Sequence, residues 1–296
     1  MLKNRHIFYS LFFVFFLATC LIVVANPNKF QKWNSIKSIN LSQNSRTLPN
    51  EQELAVEEFI GNIPYKKRSD YVYTVYPIKK YERTVLQGYG DCSTMSFGAA
   101  YYLLQENISF ELIHFLPVDT LFSGGGHVAM RLPYVYKDES KIGILDIAGG
   151  GLPVSKGNFI DIAQLQAKNF SADLHIINDK ASKFYESYYK DDYLENIYFG
   201  FTPSDEIHRY FNFIEKIYFS LGHEKLEKLL YDGLSIFFGK YYSIYIDETF
   251  LDQFKAQYLF YNFLLQLMRL LTFTLIIIVF GEIFYFLKRR KNYITF

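Results

Sequence analysis

The chain has 296 residues, of which 31 are Lys or Arg and 30 are Asp or Glu, so its formal net charge is only +1. This balance gives no reason to expect nucleic acid as a partner, because nucleic-acid-binding proteins present a strongly basic face. The 50% apolar content excludes an intrinsically disordered chain, and two Cys residues are too few for a disulfide-stabilised scaffold.

The N-terminal segment is apolar enough to cross a membrane. Residues 7–25 contain no Asp, Glu, Lys or Arg, and they follow Lys3 and Arg5. A helix of this length, at about 1.5 Å per residue, crosses most of a hydrocarbon core about 30 Å thick. We therefore predict an N-terminal transmembrane anchor over residues 1–25.

Two other interpretations of the N-terminal segment stay open. Ala25 offers a cleavage site for a signal peptidase, and Cys20 offers a lipid-attachment site of the lipoprotein type. All three interpretations place residues 26–262 outside the cytoplasm.

The next part of the chain changes from a polar tether to a folded α+β domain. Residues 26–50 are rich in Asn, Ser, Gln and Lys and are predicted to form the tether, and residues 51–175 are predicted to form the main domain. Apolar spacing and the Gly, Pro and Asn residues between the apolar segments predict two helices and four strands. The helices cover residues 51–60 and 92–104, and the strands cover residues 71–76, 110–116, 127–132 and 142–147. A helix is the alternative for residues 71–76.

Beyond residue 175 the apolar spacing becomes helical, and it predicts a helical extension over residues 176–262. The apolar residues of this extension form stripes that suit packing between helices. We predict no catalytic residue in it.

A second apolar segment lies at the C-terminal end. Residues 263–287 are predicted to form a transmembrane helix, in which Glu282 lies close enough to the end for its carboxylate to reach the interface. The tail, residues 288–296, begins with four consecutive basic residues, which places the C-terminus in the cytoplasm. Two flanking spans leave both termini on the same side. The sequence therefore predicts a protein of the cytoplasmic (inner) membrane, held in the lipid bilayer, with an extracytoplasmic main domain.

Cys92 is the candidate nucleophile. It follows Gly88-Tyr89-Gly90-Asp91 and begins a predicted helix. A thiol at the N-terminus of a helix has its thiolate stabilised by unpaired backbone N–H groups and by the helix dipole. The other Cys lies inside the predicted first span, so it cannot form a structural disulfide with Cys92.

His127 and Asp146 are the candidate base and orienting carboxylate. His127 begins a predicted strand directly after three glycines, and Asp146 lies near the end of the next strand. In an antiparallel hairpin the start of the first strand lies beside the end of the second, so the two side chains should be neighbours. With Cys92 they provide a nucleophile, a base and a group that orients the base.

Each of the three residues also has an ordinary structural interpretation. A lone Cys is often a small buried hydrophobic residue, and an Asp before glycines often belongs to a turn. Their joint position at element ends that can converge favours the triad. The His residues lack the spacing of a zinc site, and the glycine runs lack a nucleotide-binding fingerprint, so we expect no metal and no cofactor.

The segments around these residues resemble the motifs of the transglutaminase-like superfamily. With the predicted spans, the chain resembles a membrane-anchored bacterial member of it. Residues 86–94 are similar to its Cys box, residues 126–130 to its His strand and residues 144–147 to its Asp strand, in the same order. The resemblance covers about residues 70–150. The chain departs from the family pattern directly after His127, where the family often has an aromatic residue, and directly after Asp146, where the family often has Pro.

The resemblance implies a papain-like core, in which a helix bearing the Cys packs on an antiparallel sheet that carries the His and the Asp. It implies an acyl-enzyme mechanism on amide bonds of a protein or peptide substrate. If water accepts the acyl group, the protein is a cysteine protease or amidase, which we favour. If an amine accepts it, the protein is a transglutaminase-type acyltransferase. The oxyanion would be held by the backbone N–H of Cys92 and by Gln87, with Tyr89 as the second candidate.

Two alternatives to this function remain. One is a cell-wall cysteine endopeptidase, whose Cys box resembles Asp91-Cys92-Ser93, although Thr94 stands where that box has Gly. The other is a non-catalytic assembly or binding module on the same fold.

Overall fold

The computed structural model describes residues 9–10, 12–18, 35–39, 48, 52–66, 74–118, 126–165 and 170–294. The chain divides into two compact units. One is Ser35–Asp252, and the other combines Met1–Asn34 with Gln253–Phe296. Cys92, His127 and Asp146 all belong to Ser35–Asp252.

Ser35–Asp252 contains a mixed sheet of seven strands. The strands are β1 Ile36–Ile39, β2 Leu54–Ala55, β3 Glu111–Pro117, β4 His127–Tyr136, β5 Glu139–Leu145, β9 Ile197–Pro203 and β10 Ile244–Asp247. Their order is β1-β10-β9-β3-β4-β2, with β5 also paired to β4. Pairs β1–β10 and β2–β4 are parallel, and the other pairs are antiparallel. A smaller antiparallel sheet has the order β7-β6-β8, with β6 Gly151–Ser155, β7 Asn158–Phe159 and β8 Asp173–Ile176.

Helices lie between and beside these strands. The α-helices are α1 Val56–Gly61, α2 Pro77–Tyr81, α3 Cys92–Gln105, α4 Ile162–Leu165, α5 Asp191–Leu194, α6 Ser204–Ile217, α7 Glu224–Phe238, α8 Glu248–Gln253 and α9 Lys255–Ile294. A π-helical turn, Glu82–Leu86, follows α2, and a 3-10 helix, Lys183–Tyr189, precedes α5.

The core that positions the candidate site is formed by α3 and by strands β3 and β4. Every residue of β3 is buried, because the strand lies between two neighbouring strands, and most of its residues are accordingly apolar. Ala99, Ala100 and Leu103 on α3 are fully buried in the same core as Leu112 and Met130 of the sheet. Small residues on this face let the helix lie close to the sheet.

The predicted α+β class is confirmed, and the predicted helix and strands over residues 92–147 are present with small shifts of their ends. The sheet is mixed and not purely antiparallel, because β2 and β1 join it in parallel pairs. The predicted helix at residues 51–60 is shorter, since residues 54–55 form β2. Residues 74–76 form no strand, and residues 71–73 lie outside the described residues.

The prediction that residues 176–262 are a helical extension is wrong for part of that segment. It supplies β9, which pairs with β3 along its whole length, and β10, which pairs with β9. Buried residues occur on both faces of β9, so its sequence does not alternate and its strand character is hard to recognise. Residues 35–252 form one compact unit without a division at residue 175.

Within the described residues, one helix is long and apolar enough to cross a membrane by length and composition, Lys255–Tyr285. It is part of α9 and covers residues 263–285 of the span predicted at residues 263–287. Residues 12–18 of the predicted N-terminal anchor are helical, and the Tyr9 hydroxyl donates to Glu282 Oε1 at 2.9 Å. Most of the remaining anchor and all of the tether except residues 35–39 and 48 lie outside the described residues.

Candidate active site

Cys92 is the first residue of α3 because the residues before it form a reciprocal helix cap. The Asp91 carboxylate accepts from the Thr94 backbone N–H at 2.8 Å, and the Thr94 hydroxyl accepts from the Asp91 backbone N–H at 2.9 Å. This capping box determines where the helix begins. Cys92 carries a free thiol and is half-buried, and it occupies the first position of the helix, where backbone N–H groups lack partners within the helix.

The loop before the cap requires glycine at two positions. Gly88 and Gly90 have φ angles of +77° and +150°, which other residues rarely adopt. A Cβ on Gly88 would lie 2.7 Å from the Tyr65 backbone N, and one on Gly90 would lie 2.5 Å from Thr94 Oγ1. The Gly-Tyr-Gly-Asp sequence therefore lets the chain turn sharply into the helix that carries Cys92.

One face of α3 is joined to the start of β4. Ser96, one helical turn after Cys92, donates its hydroxyl to the Val128 carbonyl oxygen at 3.1 Å. The Cys92 Sγ lies 4.0 Å from the Gly126 carbonyl oxygen. Two residues one turn apart on the helix thus contact the carbonyl oxygens of the two residues that flank His127 in the sequence.

His127 and Asp146 are neighbours in the structure. His127 Nε2 lies 2.7 Å from Asp146 Oδ2, and both side chains are fully buried. The cause is the hairpin of β4 and β5, in which Met130 pairs with Leu145. Asp146 follows β5 directly, and the start of β4 runs beside it.

A tight loop holds the Asp146 carboxylate in place. The backbone of Asp146 forms two hydrogen bonds with Gly151, at 2.9 and 3.2 Å, which close the loop between them. Inside it, the Gly149 N–H donates to Asp146 Oδ1 at 2.8 Å. A Cβ on Gly149 would lie 3.0 Å from Asp146 Oδ2 and 2.5 Å from Leu174 Cδ2, so a side chain at this position requires Leu174 or the carboxylate to shift.

Four aromatic rings enclose the His127 imidazole. Tyr188 stacks on it with ring centroids 4.6 Å apart and an angle of 8° between the planes. Phe115, Tyr185 and Tyr189 approach at 5.3, 5.4 and 6.0 Å. Tyr189 also donates its hydroxyl to Asp146 Oδ2 at 3.0 Å.

The sequence analysis did not find these three tyrosines. They lie on the 3-10 helix Lys183–Tyr189, in the segment predicted to contain no catalytic residue. The available signal was the local density of Tyr residues, which by itself does not indicate contact with Asp146, 43 residues before Tyr189, or with His127.

The pKa of the His127 imidazole is raised by the groups next to it. Burial by itself lowers its pKa, but the Asp146 carboxylate and the Cys92 side chain outweigh burial and raise the pKa to about 10. The imidazole therefore carries its proton through the neutral range, between two groups that are negative when ionised. Burial and Asp146 raise the pKa of Tyr189 well above its usual value, so its hydroxyl remains a donor.

The ring nitrogens of His127 have different surroundings. Nε2 contacts Asp146, whereas Nδ1 is buried and has no hydrogen-bond partner among the described residues. Cys92 is close enough to raise the pKa of His127, although its sulfur does not meet hydrogen-bond geometry with Nδ1. Such contacts are often loose in an empty site and tighten when substrate binds.

Gln87 and Tyr89, the oxyanion candidates, lie in the loop before Cys92. Gln87 is exposed, and its backbone N–H donates to the Glu82 carbonyl at 3.1 Å. No hydrogen bond of its side chain to the site occurs among the described residues. The Tyr89 hydroxyl accepts from Lys66 Nζ at 3.0 Å. The oxyanion role of Gln87 stays a prediction.

Within the described residues, no three His, Cys, Asp or Glu side chains come together as metal ligands. His114, which lies on β3, is buried, and its Nε2 is 2.9 Å from the Thr202 hydroxyl. Its environment is that of a hydrogen-bonded core residue.

Comparison with known proteins finds no match to a family model, to a curated protein or to a solved structure.

Proposed function

We propose that this protein is a membrane-anchored cysteine enzyme that cleaves amide bonds of a protein or peptide substrate outside the cytoplasm. The observation that carries the proposal is the pairing of His127 Nε2 with Asp146 Oδ2, which leaves Nδ1 as the free nitrogen on an imidazole next to Cys92. A nucleophile, a base and a group orienting the base are the parts that nucleophilic catalysis needs.

The residues support a mechanism with separate roles. The Cys92 thiolate attacks the carbonyl carbon of the amide, and the imidazolium of His127 later gives its proton to the departing amine nitrogen. Asp146 holds the ring orientation and stabilises its positive charge. The resulting thioester on Cys92 is hydrolysed when water, deprotonated by His127, attacks it.

The burial of the site suits this mechanism. His127 and Asp146 are removed from water, which strengthens their electrostatic interaction, whereas Cys92 is half-buried and can reach a substrate. The N-terminus of α3 provides backbone N–H groups near the sulfur, including that of Cys92, for the developing oxyanion. These features also support the finer assignment of the fold to a papain/transglutaminase-like core.

The test uses full-length protein in detergent with Cys20 replaced by Ala, so that Cys92 is the single thiol. Turnover of a fluorogenic peptide library is compared among this background, Cys92→Ala, His127→Ala and Asp146→Asn. We expect Cys92→Ala to abolish turnover and His127→Ala to reduce it almost as far. Asp146→Asn should retain a measurable residual activity. The losses should not add, since the three residues act as one unit.

His208→Ala, a change at an exposed His on α6, is the matched control and should retain full activity. Full turnover by Cys92→Ala would reject an enzyme acting through this thiol.

Product released in the presence of an added amine, analysed by mass spectrometry, separates hydrolysis from transfer. The rate at which a thiol-directed electrophile labels Cys92 is also compared with and without His127→Ala. An equally slow rate in both proteins would indicate a binding module.

A further inference from the structure

A concave site lies at the end of α3 opposite to Cys92. It encloses about 550 Å³ between β2, α1, the π-helical turn and the C-terminal end of α3, a volume typical of ligand sites. Glu106, which follows α3, lies about 20 Å along the helix from Cys92, at about 1.5 Å per residue. The cavity is therefore separate from the Cys92–His127–Asp146 group.

The cavity has an apolar floor and an aromatic wall. Leu54, Ile63, Val85 and Ile108 are buried at its base. The wall is a stack of three rings. Tyr102 stacks on Phe59 with centroids 5.0 Å apart and on Tyr81 with centroids 6.0 Å apart, at angles of 19° and 12°.

Three carboxylates surround this wall. Glu53, Glu58 and Glu106 are exposed at the cavity, and no Lys, Arg or His is among the described residues that line it. None of the three forms an ion pair with a described basic residue. Burial first, and then the Glu106 carboxylate, raises the pKa values of Tyr81 and Tyr102.

Aromatic faces and carboxylates attract the same kind of group. A ring face binds a cation through its quadrupole, and a carboxylate binds it through charge. The apolar floor accommodates the aliphatic part of a Lys or Arg side chain, because these side chains combine an apolar stem with a charged end.

The backbone at the cavity suits a peptide. β2 pairs with β4 on one side, and no described strand pairs with its other edge. Ala55 on β2 lines the cavity, so an extended segment can bind to the strand edge through its main chain. We propose that this cavity binds a peptide segment that carries Lys or Arg, at a site distinct from the thiol.

Fluorescence anisotropy of full-length protein in dodecyl maltoside tests this proposal. The probe is a labelled acetyl-Gly-Lys-Gly-Lys-Gly-amide peptide, and the comparison is the same peptide with Glu in place of Lys. We expect saturable binding of the Lys peptide only. The double change Glu58→Gln plus Glu106→Gln should weaken it about tenfold, and Tyr102→Leu about fivefold.

The matched control is Glu57→Gln, at the exposed Glu next to Glu58 that does not line the cavity. This variant should bind as the unchanged protein does. Cys92→Ala should also bind normally, which separates this proposal from the proposed amide chemistry. Thermal unfolding followed by circular dichroism establishes that each variant is folded.

Three results would overturn the proposal. They are the absence of saturable binding up to millimolar peptide, equal binding of the Lys and Glu peptides, and equal loss in Glu57→Gln and in the double variant.

Discussion

Tyr189 donates its hydroxyl to Asp146 Oδ2 at 3.0 Å, the same oxygen that His127 Nε2 contacts at 2.7 Å. Asp146 is thus shared between a tyrosine from a distant 3-10 helix and the histidine of β4. Its other oxygen, Oδ1, accepts from the Gly149 N–H. The carboxylate that orients His127 is therefore held from three sides.

Removal of the Tyr189 hydroxyl should loosen this arrangement. Tyr189→Phe keeps the ring against His127 but takes one donor from a buried carboxylate, which costs about 1–3 kcal/mol of stability. We expect kcat/KM to fall several-fold, with KM little changed. Steady-state kinetics and urea unfolding measure both effects.

Tyr76→Phe is the control for this change, because Tyr76 stacks on Tyr218 and not on His127. It should leave kcat/KM unchanged. Equal activity of Tyr189→Phe and the unchanged protein would show that the hydroxyl does not position Asp146.

The raised pKa of His127 predicts how stability depends on pH. The folded-state pKa is about 10 and the ordinary value is 6.5, so the folded protein retains a proton that the unfolded chain loses. This contribution to stability is fully present below about pH 6.5 and is lost as pH rises toward 10, by at most about 1.4 kcal/mol per unit.

Urea midpoints from pH 6 to 10, compared between the unchanged protein and His127→Gln, measure this contribution. Other groups also titrate in this range, so the difference between the two proteins is the relevant quantity, and it should shrink toward pH 10. A constant difference would contradict a proton held by the His127–Asp146 pair.

Gly149 should tolerate no side chain. In Gly149→Ala the new Cβ would meet Leu174 and the Asp146 carboxylate, so the loop or the carboxylate must move. We expect a loss of about 1–3 kcal/mol of stability, as for other overpacking changes, and at least a tenfold loss of activity.

Gly61→Ala is the control, because nothing lies within 4 Å of a Cβ at that position. It should leave activity intact and shift the unfolding midpoint little. If Gly149→Ala kept full activity, the close approach of this loop to Asp146 would not matter for catalysis.

Membrane topology is tested at the C-terminal end. The basic residues 288–291 predict that this end lies in the cytoplasm. Alkaline phosphatase fused after residue 296 should therefore be inactive, and a cytoplasmic fluorescent reporter should be active. Strong phosphatase activity would reject the model in which both termini are inside.

Local sequence information was sufficient for the parts of the site that depend on short-range physics. The cap at Asp91 and Thr94 follows from side chains that bond to backbone groups three residues away, so the start of α3 at Cys92 was predictable. The proximity of His127 and Asp146 was predictable for a similar reason, because a hairpin brings strand ends together.

The parts that only the tertiary structure determined depend on contacts between distant segments. β9 pairs with β3 although the paired residues are 80 to 92 positions apart in the sequence, and its burial on both faces removes the alternation by which a strand is recognised. Tyr188 and Tyr189 reach His127 from the 3-10 helix, and the Tyr189 carbonyl oxygen accepts from the Ala172 backbone N–H at 2.9 Å. Sequence spacing specifies which face of an element is apolar, whereas the neighbour of that face is selected by packing of the whole core.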